Sequence, residues 1–412
     1  MKKSRSKAFF ISGGAGRVIC SIPAFEKYAE ESGDKDFIIV CEGGMDFYRG
    51  HPILQKHAYE VWHKGLFDQH LRNKDIVTPE PYRINEYFNQ ECSLAQAFDI
   101  EINGLEDARE LPTPTIKLNK TETITGYQAI QGIKSQLNKD KAIIIQPFGR
   151  SITQIGEYLI DSTSRSFEVG NIISIIEQLR KKYAVVIMAE LQLPIPENKE
   201  HPVALPREPN LRLWASMIKS ADHFLGCDSV GQHIAKALDK TATVVVGSTV
   251  PINITYLDDD KFDIIDVGAE NGRNYSPIRM TMDDEKDRQN DEAMELNKEQ
   301  EKRVVDSCIK FLGKGGKFEG EFIPSQQQNV CSNPDHNHQH PHQHIEHNMD
   351  TSPKEGTRKE RRAAERAERK EQTKSKTEPG LFDFETENLL ASDTGPSPHH
   401  GHSSSHFKEF KK

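Results

Sequence analysis

Residues 221–248 read ADHFLGCDSVGQHIAKALDKTATVVVGS. An apolar run, DHFLGC, ends in Asp-Ser, a segment with helical spacing follows, and a second apolar run, TATVVVG, comes next. Strand, helix and strand in that order form the unit of a parallel α/β sheet. In the middle segment Val230, Ile234, Ala237 and Leu238 fall at i, i+4, i+7 and i+8 and make the buried stripe, whereas Ser229, Gln232, His233 and Lys236 share the other face. Asp228 stands where its carboxylate predicts an N-cap on the first free backbone N–H groups. The polar face thus begins at a helix N-terminus, where partial positive charge and unpaired donors favour an anion. A phosphate site and a solvated surface helix are both open on these residues.

The same alternation extends in both directions. KAIIIQPF (141–148), YAVVIMA (183–189) and FDIIDV (262–267) are further buried strands, with helices near 170–182, 211–221 and 297–313. The last helix has Val304, Cys308, Ile309 and Leu312 on one face and Gly313 as a C-terminal cap. Upstream, AFFIS (8–12), a helical pattern over 18–32 and DFIIVC (36–41) repeat the theme, with weaker elements in AYEVW and RINEYFNQECSLAQAF. Around 111–140 the pattern lapses, and LPTPTIKLNKTETITGY carries two prolines and little helical period. The expected fold is α/β, two Rossmann-like doubly wound domains facing across a cleft. They divide into 1–125 and 126–323, followed by a disordered tail over 324–412.

Composition narrows the function classes. The chain has 412 residues and a net charge of −9, and residues 1–323 hold 41 Lys and Arg against 49 Asp and Glu, which argues against wholesale coating of nucleic acid. The six cysteines are scattered without a CxxC pair, as reduced thiols in a cytoplasmic protein would be. The N-terminal apolar run AFFI is too short for a signal peptide, and no stretch is long enough to insert in a membrane.

Four loops follow strand candidates. SGGAGR (12–17) offers Gly13, Gly14 and Gly16 for close backbone approach, without the Gly-Lys-Ser/Thr of a Walker motif. QPFGRS (146–151) offers Arg150 as a bidentate phosphate ligand, and STSRSF adds Arg165. The third loop carries Asp228 and Ser229, and GSTVP (247–251) adds Ser248 and Thr249. Strand ends of one sheet converge on one ligand, so their common placement is the signal.

At these residues the chain resembles the family 9 glycosyltransferases, the lipopolysaccharide heptosyltransferase type. NLRLWASMIKSADHFLGCDSVGQHIAKALDKTATVVVGSTVP matches the family's Asp-Ser/Thr-Gly-Pro-x-His-like signature in order and spacing, with Asp228, Ser229, Gly231 and His233 on the signature. QPFGRS looks like its His-Pro-Gly-Ala segment, and SGGAGRVICSIPAF looks like its N-terminal segment with Pro23 and Ala24 aligned. The resemblance covers residues 8 to about 312. It implies the two-domain GT-B fold, with a nucleotide-diphosphate sugar bound by the second domain (126–323), an acceptor bound by the first (1–125), and no required cofactor or essential metal. Gly13, Gly14, Gly16, Arg17, Arg150, Arg165, Asp228, Ser229, Gly231, His233, Ser248 and Thr249 would make the donor side. Preorganised donors there would stabilise charge on the leaving phosphate.

One position departs from the family. Where the first loop has an acidic residue in the role of general base, this chain has Arg17, which cannot take a proton at neutral pH. Glu42 and Asp46, in CEGGMDF after the second strand, are the replacement candidates. A protein that kept the fold as a non-catalytic nucleotide-sugar or partner-binding module is the rival reading. Asp258-Asp259-Asp260 has the spacing of a metal-binding Asp-x-Asp but reads as an acidic turn.

The tail bears on the acceptor. HNHQHPHQHIEH (336–347) holds six histidines without a spacing that encloses a metal, and 355–376 holds nine Lys and Arg with five Glu. Leu381, Phe382, Asp383 and Phe384 are similar to the short peptides by which replication proteins of tailed phages attach to their sliding clamp. Two acceptors follow: a lipopolysaccharide-type glycan from the family resemblance, or hydroxylated bases of phage DNA, a DNA modification, from the tail.

Overall fold

The computed structural model describes residues 5–155, 158–161, 163–274 and 292–320; the histidine tract, the basic run and Leu381–Phe384 lie outside the described residues. The first sheet contains β1 (Lys7–Ile11), β2 (Ile38–Cys41), β3 (Ala58–Glu60) and β4 (Asp75–Val77), all parallel in the order β3-β2-β1-β4. Helix α1 (Ala15–Glu31) makes the crossover from β1 to β2, and α2 (Asn85–Phe88) and α3 (Leu94–Asn103) follow β4. Ser93 and Gln96 close a capping box at the start of α3, and α3 packs along α1.

After α4 (Lys120–Gln136) comes the second sheet. Its strands are β5 (Ala142–Gln146), β8 (Ala184–Ile187), β9 (His223–Cys227), β10 (Ala242–Val246) and β11 (Phe262–Asp266). They are parallel in the order β11-β10-β9-β5-β8. Between β5 and β8 lie a hairpin, β6 (Ile152–Ile155) with β7 (Tyr158–Asp161), and α5 (Val169–Leu179). Helices α6 (Leu211–Ser220), α7 (Val230–Ala237), α8 (Pro251–Ile254), α9 (Val267–Glu270) and α10 (Lys298–Leu312) complete it. Alternate strand residues point to opposite faces. Ile143, Ile145, Val185, Leu225 and Val245 pack with α5 and α10, whereas Ile144, Val186, Phe224, Val244 and Val246 pack with α6 and α7. The latter layer is continuous with the α1 and α3 core of the first sheet. The two sheets therefore share one hydrophobic interior, within a single compact unit, Met1–Asn329.

The lapse expected at 111–140 is corrected by α4, a 17-residue helix opened by an Asn119–Glu122 capping box. The expected division at residue 125 falls inside it. Its buried positions include Gly126 and Gly132, so the contact face lacks the apolar stripe that marks a helix in sequence. Gly126 is small for a reason: a Cβ there would lie 2.1 Å from Ser216 Oγ and 2.5 Å from the Ser216 carbonyl carbon on α6.

Gly126→Ala should therefore lower stability by about 1–3 kcal/mol through overpacking, despite alanine's better helix propensity. Ile124→Ala, at a 44% exposed site on the same helix, should move it by less than about 0.5 kcal/mol. Urea unfolding midpoints of the two variants give the comparison.

Candidate active site

In an open parallel sheet, ligands bind at the carboxyl ends of strands where the chain reverses its direction of travel across the sheet. The second sheet has the doubly wound order whose reversal lies between β5 and β9, and the loops after those strands are Gln146–Ser151 and Asp228–Ser229. In the first sheet the reversal lies between β1 and β4, flanked by the Ser12–Gly14 loop and by Pro79–Glu80. The two places meet. A Cβ on Gly14 would lie 3.5 Å from Arg150 Nη1, and one on Gly16 would lie 3.2 Å from His233 Cδ2.

The start of α7 differs from the expected cap. Ser229 is the N-cap residue, with extended backbone and no side-chain bond to the first turn. The Asp228 carboxylate turns away. It accepts from Gln232 Nε2 at 3.0 Å and Thr249 Oγ1 at 3.0 Å, and it faces Arg165 Nη1 at 3.8 Å. The first-turn amide of Gly231 donates instead to Gln146 Oε1 at 2.8 Å, and Gln146 Nε2 donates to Ser229 Oγ at 3.0 Å. A Cβ on Gly231 would meet Phe224 Cζ at 2.3 Å and Gln146 Oε1 at 2.4 Å, so packing requires the glycine.

The face expected to be polar and open is buried. Gln232 is 0% and His233 5% exposed, because α7 is held between its own sheet and α1. His233 Nδ1 lies 2.8 Å from Tyr256 Oη and 3.5 Å from Cys20 Sγ. Burial lowers the imidazole pKa to about 4 against a weaker opposing pull from Asp228, so the ring is neutral at pH 7. Tyr256, buried beside Cys20, holds its phenol proton to well above the usual range.

The cationic candidates sit together at the second sheet's strand ends. Arg165 donates from Nε to Thr163 Oγ1 at 3.0 Å and from Nη2 to Ser151 Oγ at 3.2 Å. Burial opposes its charge, but Asp228 and Asp161 outweigh burial and raise its pKa. Asp161 organises the loop beneath, accepting from the backbone N–H groups of Thr163 and Ser166 and from both hydroxyls. Arg150 is exposed and has no hydrogen bond or ion pair among the described residues. Ser248 Oγ is committed to the Thr163 carbonyl at 2.5 Å and Thr249 to Asp228, so these two shape the loops.

In the first half, Gly13 N–H donates to Glu42 Oε2 at 2.6 Å, which ties the glycine loop to the exposed end of β2. Asp46 pairs with Arg49, and its carbonyl accepts from the buried Arg212 at 2.9 Å. Arg17 is 6% exposed, donates to Glu80 Oε1 at 3.0 Å, and lies 4.8 and 5.3 Å from the ring centroids of Tyr82 and Phe98. It bridges the first sheet's reversal point. Asp259 accepts from Lys236 at 2.6 Å, as a turn residue would.

Sequence reasoning did not single out Gln146, Asp161, Glu80 or Tyr82. Gln146 had one signal, a polar residue closing the apolar run AIIIQ. No group of three or more His, Cys, Asp or Glu among the described residues is placed to hold a metal, and no described helix is long and apolar enough to cross a membrane.

Two parallel α/β sheets that meet at the carboxyl ends of their strands give a GT-B-like fold. Glycosyltransferases are among the solved structures to which the chain is similar. They include the ADP-heptose lipopolysaccharide heptosyltransferase II of E. coli (TM-score 0.47, 12% identity, 74% of this chain and 98% of that one). They also include a family 9 glycosyl transferase of Veillonella parvula (TM-score 0.49, 10% identity, 76% and 98%) and the E. coli heptosyltransferase WaaC with ADP (TM-score 0.39, 11% identity, 63% and 92%). No protein-family model and no curated protein sequence matches the chain.

The neutral, buried His233 predicts an acid-sensitive seam. Its folded pKa, about 4, lies below the ordinary histidine value, so its contribution is fully present above pH 6.5. That contribution is lost as pH falls toward 4, at a cost on the order of 3 kcal/mol. His233→Gln should lose less stability than the wild type across that window in urea unfolding followed against pH. Equal slopes would show that the imidazole does not titrate with unfolding.

Proposed function

We propose that the protein transfers a sugar from a nucleotide-diphosphate sugar to a hydroxyl acceptor. The donor diphosphate lies at the reversal point between β5 and β9, and the acceptor lies along the first half. The observation that carries this reading is the grouping of Arg165, Ser229 and the unpaired Arg150 at those strand ends, with Arg150 against Gly14. Glycosyl transfer leaves negative charge on the departing phosphate, and fixed cations and hydroxyl donors in a partly dry site favour that charge. Arg165 is held in place by Thr163 and Ser151, so little reorganisation is needed when charge develops.

The acceptor hydroxyl must lose a proton. Glu42 suits this step better than Asp46. Its Oε2 holds the Gly13 amide, which leaves the other oxygen to accept a proton, whereas the Asp46 carboxylate is engaged by Arg49. Glycans and hydroxylated bases of DNA are the two acceptor classes to assay. The rival binding module draws on Arg17, which stands in the first turn of α1 without the capacity to act as base.

Calorimetry with nucleoside diphosphates, followed by transfer assays on both acceptor classes, tests the reading. Arg165→Met should weaken diphosphate binding by about tenfold to a hundredfold. Glu42→Gln should leave binding intact and lower turnover by roughly a hundredfold or more. Tight binding without turnover on any acceptor would favour the binding module, and unchanged transfer by Glu42→Gln would remove Glu42 as the base.

A further inference from the structure

Gln146 bridges the two loops of the second sheet's reversal point, and its hydrogen bonds leave no freedom in how it is oriented. The Gly231 backbone N–H can only donate, so the atom 2.8 Å away must be the carboxamide oxygen. The NH2 group is then directed toward Ser229 Oγ at 3.0 Å and the Phe148 carbonyl at 3.3 Å. Ser229 Oγ must therefore accept. A hydroxyl that accepts from one side keeps its own proton for another partner, and Ser229 makes no second side-chain hydrogen bond among the described residues. Ser229 is only partly buried, whereas Gln146 is 7% exposed.

We infer that Gln146 is a positioning residue that turns the Ser229 hydroxyl outward as a hydrogen-bond donor to a phosphate oxygen of the leaving diphosphate. This rests on the donor reading above. The chain of cause begins with a backbone amide and ends at the ligand: Gly231 N–H sets the carboxamide, the carboxamide sets the hydroxyl, and the hydroxyl meets the anion. The residue acts through Ser229 and need not touch the ligand.

Gln146→Glu is nearly isosteric and reverses the logic. A carboxylate can accept from Gly231 N–H but cannot donate, so the Ser229 proton turns inward to it. When the introduced carboxyl is protonated it regains a donor, and the wild-type arrangement returns. The experiment measures binding of ADP, UDP, GDP and CDP to the full chain by calorimetry and carries the tightest forward. In the wild-type background Ser229→Ala should weaken binding by about tenfold. In the Gln146→Glu background the same change should cost less than about twofold, the mark of coupling between the two sites. The affinity of Gln146→Glu relative to wild type should also rise as pH falls, a rescue that a merely structural role does not produce.

Equal cost of Ser229→Ala in both backgrounds overturns the inference while leaving the donor reading standing. Failure of the wild type to bind any of the four diphosphates overturns both. If Gln146→Glu does not fold, a crystal structure of the wild type with the bound diphosphate decides. A phosphate oxygen within hydrogen-bond distance of Ser229 Oγ, on the side away from Gln146, supports the inference, and its absence overturns it.

Discussion

The contact of α1 with α7 is the constraint on which the arrangement depends. Helix α7 is covered by β9 and β10 on one side and by α1 on the other. A short helix buried on both sides has no face left for solvated side chains, so its polar residues must find partners in the protein or lose their charge. His233 is neutral and takes Tyr256 and Cys20, while Gln232 takes Asp228. Close approach also sets residue size, since Gly16 lies against His233 and Gly231 against Phe224. The two sheets consequently share one interior, and the seam between them is fixed by core packing.

Charge at the seam follows from the same contact. Both helices begin at the carboxyl ends of their sheets, so two positive helix ends lie close together. The protein places carboxylates around them: Glu42 on the Gly13 amide, Glu80 on Arg17, and Asp228 and Asp161 around Arg165. This arrangement keeps Arg17 charged although buried and Arg165 charged although largely buried. An anionic ligand there would enter a field already part-neutralised, so unpaired donors would matter more than net charge. Arg150 is such a donor, and the Ser229 hydroxyl is another.

How much was legible in the sequence depended on what each residue packs against. β5, β9 and β10 are buried along their whole length, and continuous apolar runs announce that state. β4 is three residues long and largely exposed at a sheet edge, so DIV carried no comparable signal. Helix α4 escaped notice because glycines form part of its contact face. The α7 stripe is legible at Ile234, yet the residues alone leave Gln232 and His233 open between a phosphate site and a solvated face, since polarity in a sequence does not reveal a partner two hundred residues away. The converging loops were visible as glycine-rich and cationic segments. Strand order, which puts Gln146 beside Ser229, is a long-range property with no local sequence signature.

The two reversal points have been used differently. In the first sheet the chain fills its own: Arg17 spans to Glu80 and is packed beside Tyr82 and Phe98. A buried, paired guanidinium resists removal, because breaking the pair strands a charge. In the second sheet, the reversal point is lined by a hydroxyl proton without an acceptor and an arginine without a partner among the described residues. Among the described side chains, Arg150 and Ser229 on the second half keep open bonding capacity, and the first half contributes an exposed carboxylate, Glu42, displaced by one strand from the filled position. An acceptor approaching that carboxylate would lie along the end of β2, to the side of the Arg17–Glu80 pair. On the proposed reading, the Arg17–Glu80 pair fills the first sheet's reversal point, and Glu42 on the neighbouring strand is the carboxylate left to act as base.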